Sequence, residues 1–509
     1  MTTNDWDHGY YAGDGYTYGY HSHTMPIRLH WAAMVQGHSV PLHGFRYLDA
    51  GCGQGYNLVV AAIAHPDSQF VGVDFMPEHV AHGRALAKRL GLTNVEFVEA
   101  DFAELANAPG KHGHFDYAVA HGITTWVDPA IRKALFAFVG GALIPGGLFY
   151  NSYNSLPGWL ATIPFQNMVL LEQERNSPEE AISAARESFV RILDETKTLG
   201  EALPSMRPRL ADISRRDPKY LVQEYNNKAW QPMFHSDMVR QVSSAKLTYL
   251  GTASLSEIFP SYIPDGVREF ISSKSDPLVR EQLIDCVTNK GFRRDLYVKG
   301  RNRPLIRELS AQRDAMRFIV NPLVPRPPKD EPFRITAGGV KLSAKSAAYA
   351  QVLDRIAASD EGASYLELYR AETNAKRRNA LTEVLCLLTH GDWIMPVLPE
   401  PVSTNGEALK KLASAVASGA PYESLPVPKV GGAIRLHDTF WFAYDFMLRG
   451  GDAANISEML LQTLRALNLQ LNLKGKNLTD EAEIRAEIDA RAEDFRTKIL
   501  PRLRTWGLL

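Results

Sequence analysis

Tyr47-Leu48-Asp49-Ala50-Gly51-Cys52-Gly53-Gln54-Gly55 is the stretch on which the reading of this chain turns. The apolar run Phe45 to Leu48 reads as a strand that passes straight into three glycines, and Leu58 to Ala64 reads as the helix that follows. Glycines at such a junction let the backbone approach a ligand and free the next helix's N-terminus to receive it. Two details set the ligand class. The dinucleotide spacing G-x-G-x-x-G wants a small residue at position 56, where Tyr56 stands. Asp49, just ahead of the first glycine, would repel a pyrophosphate but suits a ligand that carries an ammonium and a sulfonium. The stretch therefore points to S-adenosylmethionine.

Outward from it, strands and helices alternate from Phe45 to about Ser155. Strands are expected at Phe70–Val73, Val95–Val98, Tyr117–Ala120 and from Leu148, with helices at Val80–Leu90 and Ile131–Val139. This alternation predicts an α/β, Rossmann-like, doubly wound sheet with the ligand at the carboxyl ends of its strands. Asp74, followed by Phe75, ends the second strand and is placed to accept bonds from ribose hydroxyls. Asp101, followed by Phe102, ends the third and is placed to read an adenine amine. His121, in Ala120-His121-Gly122-Ile123, ends the fourth, where the transferable methyl would lie. It is a candidate base or substrate-orienting residue, or else a structural loop histidine. Trp126 reads more simply as packing. Tyr153 and Asn154 follow the fifth strand, either facing the pocket or stabilising the exit from the sheet.

The chain has 509 residues, enough for about three domains. Lys and Arg total 56 against 57 Asp and Glu, a balance unlike that of a protein built to grip nucleic-acid phosphates. Cys52, Cys286 and Cys386 stand far apart and form no CxxC pair, so the cysteines encode neither a zinc site nor a disulfide framework, and no metal is expected. With no signal-like leader and no long apolar run, a cytoplasmic protein is expected. Five prolines between Asn321 and Pro332 read as a stiff linker. The expected division is a cofactor-binding domain over 1–160, a mostly helical middle domain over 161–320, a linker over 321–337, and a helix-rich domain over 338–509. Near the end, Ile484, Ile488, Phe495 and Ile499 mark the apolar face of a helix.

These motifs resemble those of class I S-adenosylmethionine-dependent methyltransferases: Asp49 to Gly55 matches the first, Asp74 the second and Asp101 the third. Tyr16-Thr-Tyr-Gly19-Tyr20 with Pro26 and Arg28, His121-Gly122-Ile123 with Trp126, and Ser152-Tyr153-Asn154 with Pro157-Gly158-Trp159 are similar to bacterial members that carry a methyltransferase regulatory domain. Tyr220 to Asn226 with Pro232, and Phe292 to Leu296, are similar to that domain itself. The resemblance spans roughly residues 10 to 300. It implies that Tyr16 and Tyr20 fold over the cofactor. It also implies protein-lysine N-methylation as one activity, since some relatives of this architecture methylate protein lysines. The Asn/Asp-Pro-Pro-Tyr motif of base methylases is absent after the fourth strand, which speaks against nucleic acid as acceptor. A small-molecule or sugar acceptor, with the extra domains closing the pocket or building an oligomer, is the alternative. A non-catalytic scaffold is a third reading, opposed by the intact Asp49, Gly51, Gly53 and Asp74.

Overall fold

A computed structural model describes residues 18–509 apart from 301–303, 329–330, 345–346 and 474–475. Its centre is a seven-stranded sheet in the order β3-β2-β1-β4-β5-β7-β6. The strands are β1 (Arg46–Ala50), β2 (Gln69–Asp74), β3 (Val95–Glu99), β4 (Phe115–His121), β5 (Leu143–Asn154), β6 (Leu247–Thr252) and β7 (Phe292–Lys299). β1 to β5 run parallel, and β7 enters antiparallel between β5 and β6. Helices α1 (Pro26–Val35), α2 (Tyr56–Ala64), α3 (Pro77–Leu90), α4 (Phe102–Asn107) and α5 (Pro129–Ala142) precede or connect the first five strands. Strands buried on both faces need apolar residues at every position, and β4 supplies Tyr117, Ala118, Val119 and Ala120, all fully buried.

The expected elements lie where the sequence places them, with ends moved by a few residues. β5 is the exception, starting at Leu143 rather than Leu148. Pro145-Gly146-Gly147, ahead of the expected start, lies within this strand, where the pairing with β4 is irregular between Phe115 and Tyr117.

The expected middle section contributes to two bodies. Its helices Ile163–Glu172, Pro178–Glu195 and Met206–Ile213 pack around Phe165, Phe189 and Tyr225 as a separate small core. Its strands β6 and β7 instead complete the first sheet, so residue 160 marks no break in that sheet.

Beyond residue 320, the 321–328 stretch lies against Trp393: Asn321 N–H donates to the Trp393 carbonyl at 2.9 Å, and Trp393 Nε1 donates to the Pro325 carbonyl at 3.3 Å. The C-terminal region is helix-rich, and Ile488, Phe495 and Ile499 are buried as their spacing implies. One continuous apolar core runs from Met25 through α2 to Leu508. The hairpin of Ser424–Val427 and Gly432–Arg435 packs on α2, where Tyr56 Oη donates to the Ser424 carbonyl at 2.5 Å and Tyr56 stacks on Tyr422 with ring centroids 4.4 Å apart. Every residue of α2 is buried, which explains why it shows no polar face.

A chain ended at residue 335 therefore bares the face of α2 that the hairpin covers. Exposing a Val, Leu or Ile costs about 1.5–3 kcal/mol each, and several together approach a domain's whole stability of about 5–15 kcal/mol. Such a truncation should lose both its cooperative thermal transition and its affinity for S-adenosylhomocysteine. Circular dichroism and calorimetry check this, and a truncation that melts cooperatively and still binds would contradict the shared core.

Candidate active site

At the carboxyl ends of β1, β2 and β4 lies a cleft. Asp49, Gly51, Gly53, Asp74, Phe75, Asp101, Phe102 and His121 all line it, joined by Gly19, His21, Asn57 and Trp126. The glycine loop takes its shape from β2. Gly51 and Cys52 donate their N–H groups to the Val73 carbonyl at 2.8 and 3.0 Å. Gly53 N–H donates to Asp74 Oδ2 at 2.8 Å. Asp74 Oδ1 accepts from Met76 N–H at 3.0 Å, with His79 Nδ1 3.2 Å away. One carboxylate thus holds the loop while lining the cleft. Gly51 has φ +87°, a backbone conformation that favours glycine, and its bare Cα sits against the Ile123 side chain.

Asp49 is buried beside Asp74 and bonded to Asn57. Burial, and then the charge of Asp74, push its carboxyl up to about 7. Asp101 caps α4, its Oδ1 accepting from Ala103 N–H at 2.6 Å. Phe102 packs inward, 6.5 Å from Phe138 between ring centroids.

The residues before α1 cross the cleft as a strap. His21 N–H donates to Asn57 Oδ1 at 2.9 Å, and Asn57 Nδ2 donates to Thr24 Oγ1 at 3.1 Å. Tyr18 stands 4.9 Å from His82 between ring centroids. Tyr20, expected over the cofactor, turns the other way, where its Oη accepts from Ala433 N–H at 2.9 Å. Gly19 and His21 take its place along the cleft. Tyr16 lies outside the described residues.

His121 closes the end of the cleft where the methyl is expected. Its Nδ1 lies 2.7 Å from Ser152 Oγ and 3.2 Å from Tyr150 Oη, which fixes the ring and leaves Nε2 for the cleft. Ser152 Oγ also accepts from Gly122 N–H at 2.9 Å. Desolvation, with His21 and Arg294 nearby, holds His121 well below the usual histidine range. Arg294 projects from β7 opposite Ser152, its guanidinium 5.1 Å from the centre of the Phe292 ring.

Two candidates lie elsewhere. Strand alternation turns Tyr153 away from Tyr150 and Ser152, into the core. There it is fully buried, its Oη donating to Asp295 Oδ2 at 2.7 Å and standing 3.1 Å from His235 Nδ1. Asn154 is buried at the end of β5 and does not line the cleft; its backbone meets Thr125 and Met233. Ser152 and Arg294 are the residues that sequence reasoning passed over, both inside motifs quoted for other reasons. The alternation of β5 and β7 was the available signal.

Two measurements follow from this geometry. Asp74→Ala removes a carboxylate whose bonds are worth about 1.5–3 kcal/mol each, so S-adenosylmethionine affinity should fall at least about tenfold by calorimetry. A cationic cofactor favours ionised Asp49, whose pKa is about 7. Below that pH the carboxyl holds a proton that binding must expel. Affinity should thus rise by up to about tenfold per pH unit between 5 and 7 and level off above. Asp49→Asn should flatten the profile; an unchanged slope in that variant would reassign the proton.

Residues 42–195 match the family model described as a methyltransferase domain, and residues 217–299 the one described as a predicted methyltransferase regulatory domain. The chain is 29% identical to an uncharacterized protein of Synechocystis sp. across 99% of each chain. It is 28% identical to an uncharacterized protein of Rickettsia prowazekii over 54% of this chain and 49% of that one. The solved structure of PKMT2 from Rickettsia typhi in complex with AdoHcy superposes with a TM-score of 0.70 at 20% identity, covering 94% of this chain and 98% of that one. That likeness extends the shared fold through the C-terminal region. Both domain matches, the strand order and the cofactor cleft lead to one assignment: an S-adenosylmethionine-dependent methyltransferase with the class I fold, which carries a methyltransferase domain and, after it, a predicted methyltransferase regulatory domain.

Proposed function

We propose that the chain methylates the side-chain amine of a protein lysine, which meets the cofactor at His121. One observation carries this reading. The acceptor end of the cleft is walled by His21, His121 and Trp126, with Arg294 close to the histidines. Among the described residues, no carboxylate forms an ion pair with Arg294. A lysine attacks a sulfonium only as the neutral amine, whose lone pair forms the new N–C bond as the S–C bond breaks. An acidic wall would hold the ammonium form; a guanidinium disfavours it. Likeness to PKMT2 along nearly the whole chain, and the resemblance to protein-lysine methyltransferases, support the same acceptor class. The cofactor supplies the methyl group. Asp49, Asp74 and the glycine loop hold it in line, and the strap excludes water.

Arg294 also favours a second reading, a small acceptor bearing a carboxylate that pairs with the guanidinium. Radiolabelled S-adenosylmethionine incubated with the enzyme and a cell extract separates the two. Label in protein, mapped to lysine by mass spectrometry, is the expected result. Label confined to the fraction passing a small-pore membrane would sink the lysine reading and support the other. With a lysine acceptor, Arg294→Met should move the alkaline-rising limb of kcat/KM to higher pH by about one unit, since about 1.4 kcal/mol of charge repulsion corresponds to that shift.

A further inference from the structure

Three histidines meet at the acceptor end, and the lysine reading leaves His23 without a role. His21 and His23 come from the strap and His121 from the end of β4. One ring nitrogen of each lies within 4.8 Å of the others. The ring centroids stand 4.4 Å apart for His21–His121, 4.8 Å for His23–His121 and 5.7 Å for His21–His23. His23 Nε2 is buried without a hydrogen-bond partner. A buried polar atom left open in this way costs free energy unless something fills the space it faces.

We propose that His21, His23 and His121 form a binding site for a divalent transition-metal ion of the zinc class, with its fourth position open to the cleft. The chemistry of the donors fits. Imidazole binds metal only when neutral, and desolvation holds all three rings below the usual histidine range, His21 at about 4. Three imidazoles with one open position suit zinc and its neighbours, and not calcium or magnesium, which prefer oxygen. Ser152 and Tyr150 hold His121 through Nδ1, as outer partners orient metal-bound histidines. Around tetrahedral zinc the ring nitrogens stand about 3.4 Å apart, given bonds of about 2.0–2.1 Å, so small side-chain rotations close the set.

The charges nearby shape the fourth ligand. Arg294 and Arg28 both act on this cluster and repel a bare ion. The ion therefore enters with an anion, hydroxide or a carboxylate, that also satisfies Arg294. A lysine amine cannot give one lone pair to both the ion and the methyl group. Ion and amine are alternatives, and the loaded site is closed to lysine. The cysteines play no part, so the expectation of no metal drawn from them does not bear on a site that the fold assembles from histidines.

Binding is testable without any acceptor, independently of the lysine reading. The full-length protein, freed of metal by chelator, is titrated with Co²⁺. The expected result is one equivalent bound with the visible absorption of tetrahedral cobalt, bleached by one equivalent of Zn²⁺. His23→Ala and His23→Gln should each abolish the band while keeping affinity for S-adenosylhomocysteine, which shows that the fold is intact. No tetrahedral band in the unmodified protein, or a band that persists in both variants, would overturn the site.

Discussion

A guanidinium taken out of water must be surrounded by counter-charge, and Arg293 imposes that demand on the middle of this molecule. It is almost wholly buried, with Asp285 at 2.6 Å, Glu281 at 2.9 Å and Asp295 at 3.0 Å. Asp295 in turn receives Tyr153 and lies against His235, so one network ties β7 to β5, to β6 through Tyr249, and to helices Pro277–Thr288 and His235–Ser243. Removing one partner from such a cluster strands a buried charge, at about 3–5 kcal/mol. The cluster fixes the antiparallel strand β7 beside β5. Because successive side chains of a strand point oppositely, fixing Arg293 in the core delivers Arg294 to the other face, beside His21 and His121. Two adjacent arginines thus divide the work, one holding the sheet together and the other charging the acceptor end.

The donor half of the cleft follows a different logic. Its parts come from consecutive segments, β1 with its loop, β2 and β3, and each was legible from local pattern. Asp49, Gly51, Gly53, Asp74, Phe75, Asp101 and Phe102 sit together because strand ends in a parallel sheet share one edge. The acceptor half is assembled from the strap, β4, β5 and β7, the last nearly 300 residues into the chain. No local pattern announces that His21, His121, Ser152 and Arg294 converge. Tyr153 misled for a related reason: in β5 the face toward the cleft is set by the register with β4, where His121 pairs with Ser152. Domain boundaries blurred likewise, since proline content marks where a chain is stiff and says nothing of what it packs on.

The strap and the hairpin on α2 make the first and last parts of the chain depend on each other. Tyr20 meets Ala433 and Tyr56 meets Ser424, contacts spanning 413 and 368 residues. A ribosome adding about 5–20 residues per second takes roughly 20–80 s to cover the longer span. Throughout that interval the glycine loop exists while the hairpin behind α2 does not, and of the elements that bury α2 only its neighbours α3, β2 and β3 are present. The cofactor cleft is therefore among the last features completed during synthesis, although its motif is among the first translated. A nascent chain of this protein stays without its cofactor until its C-terminal third has emerged.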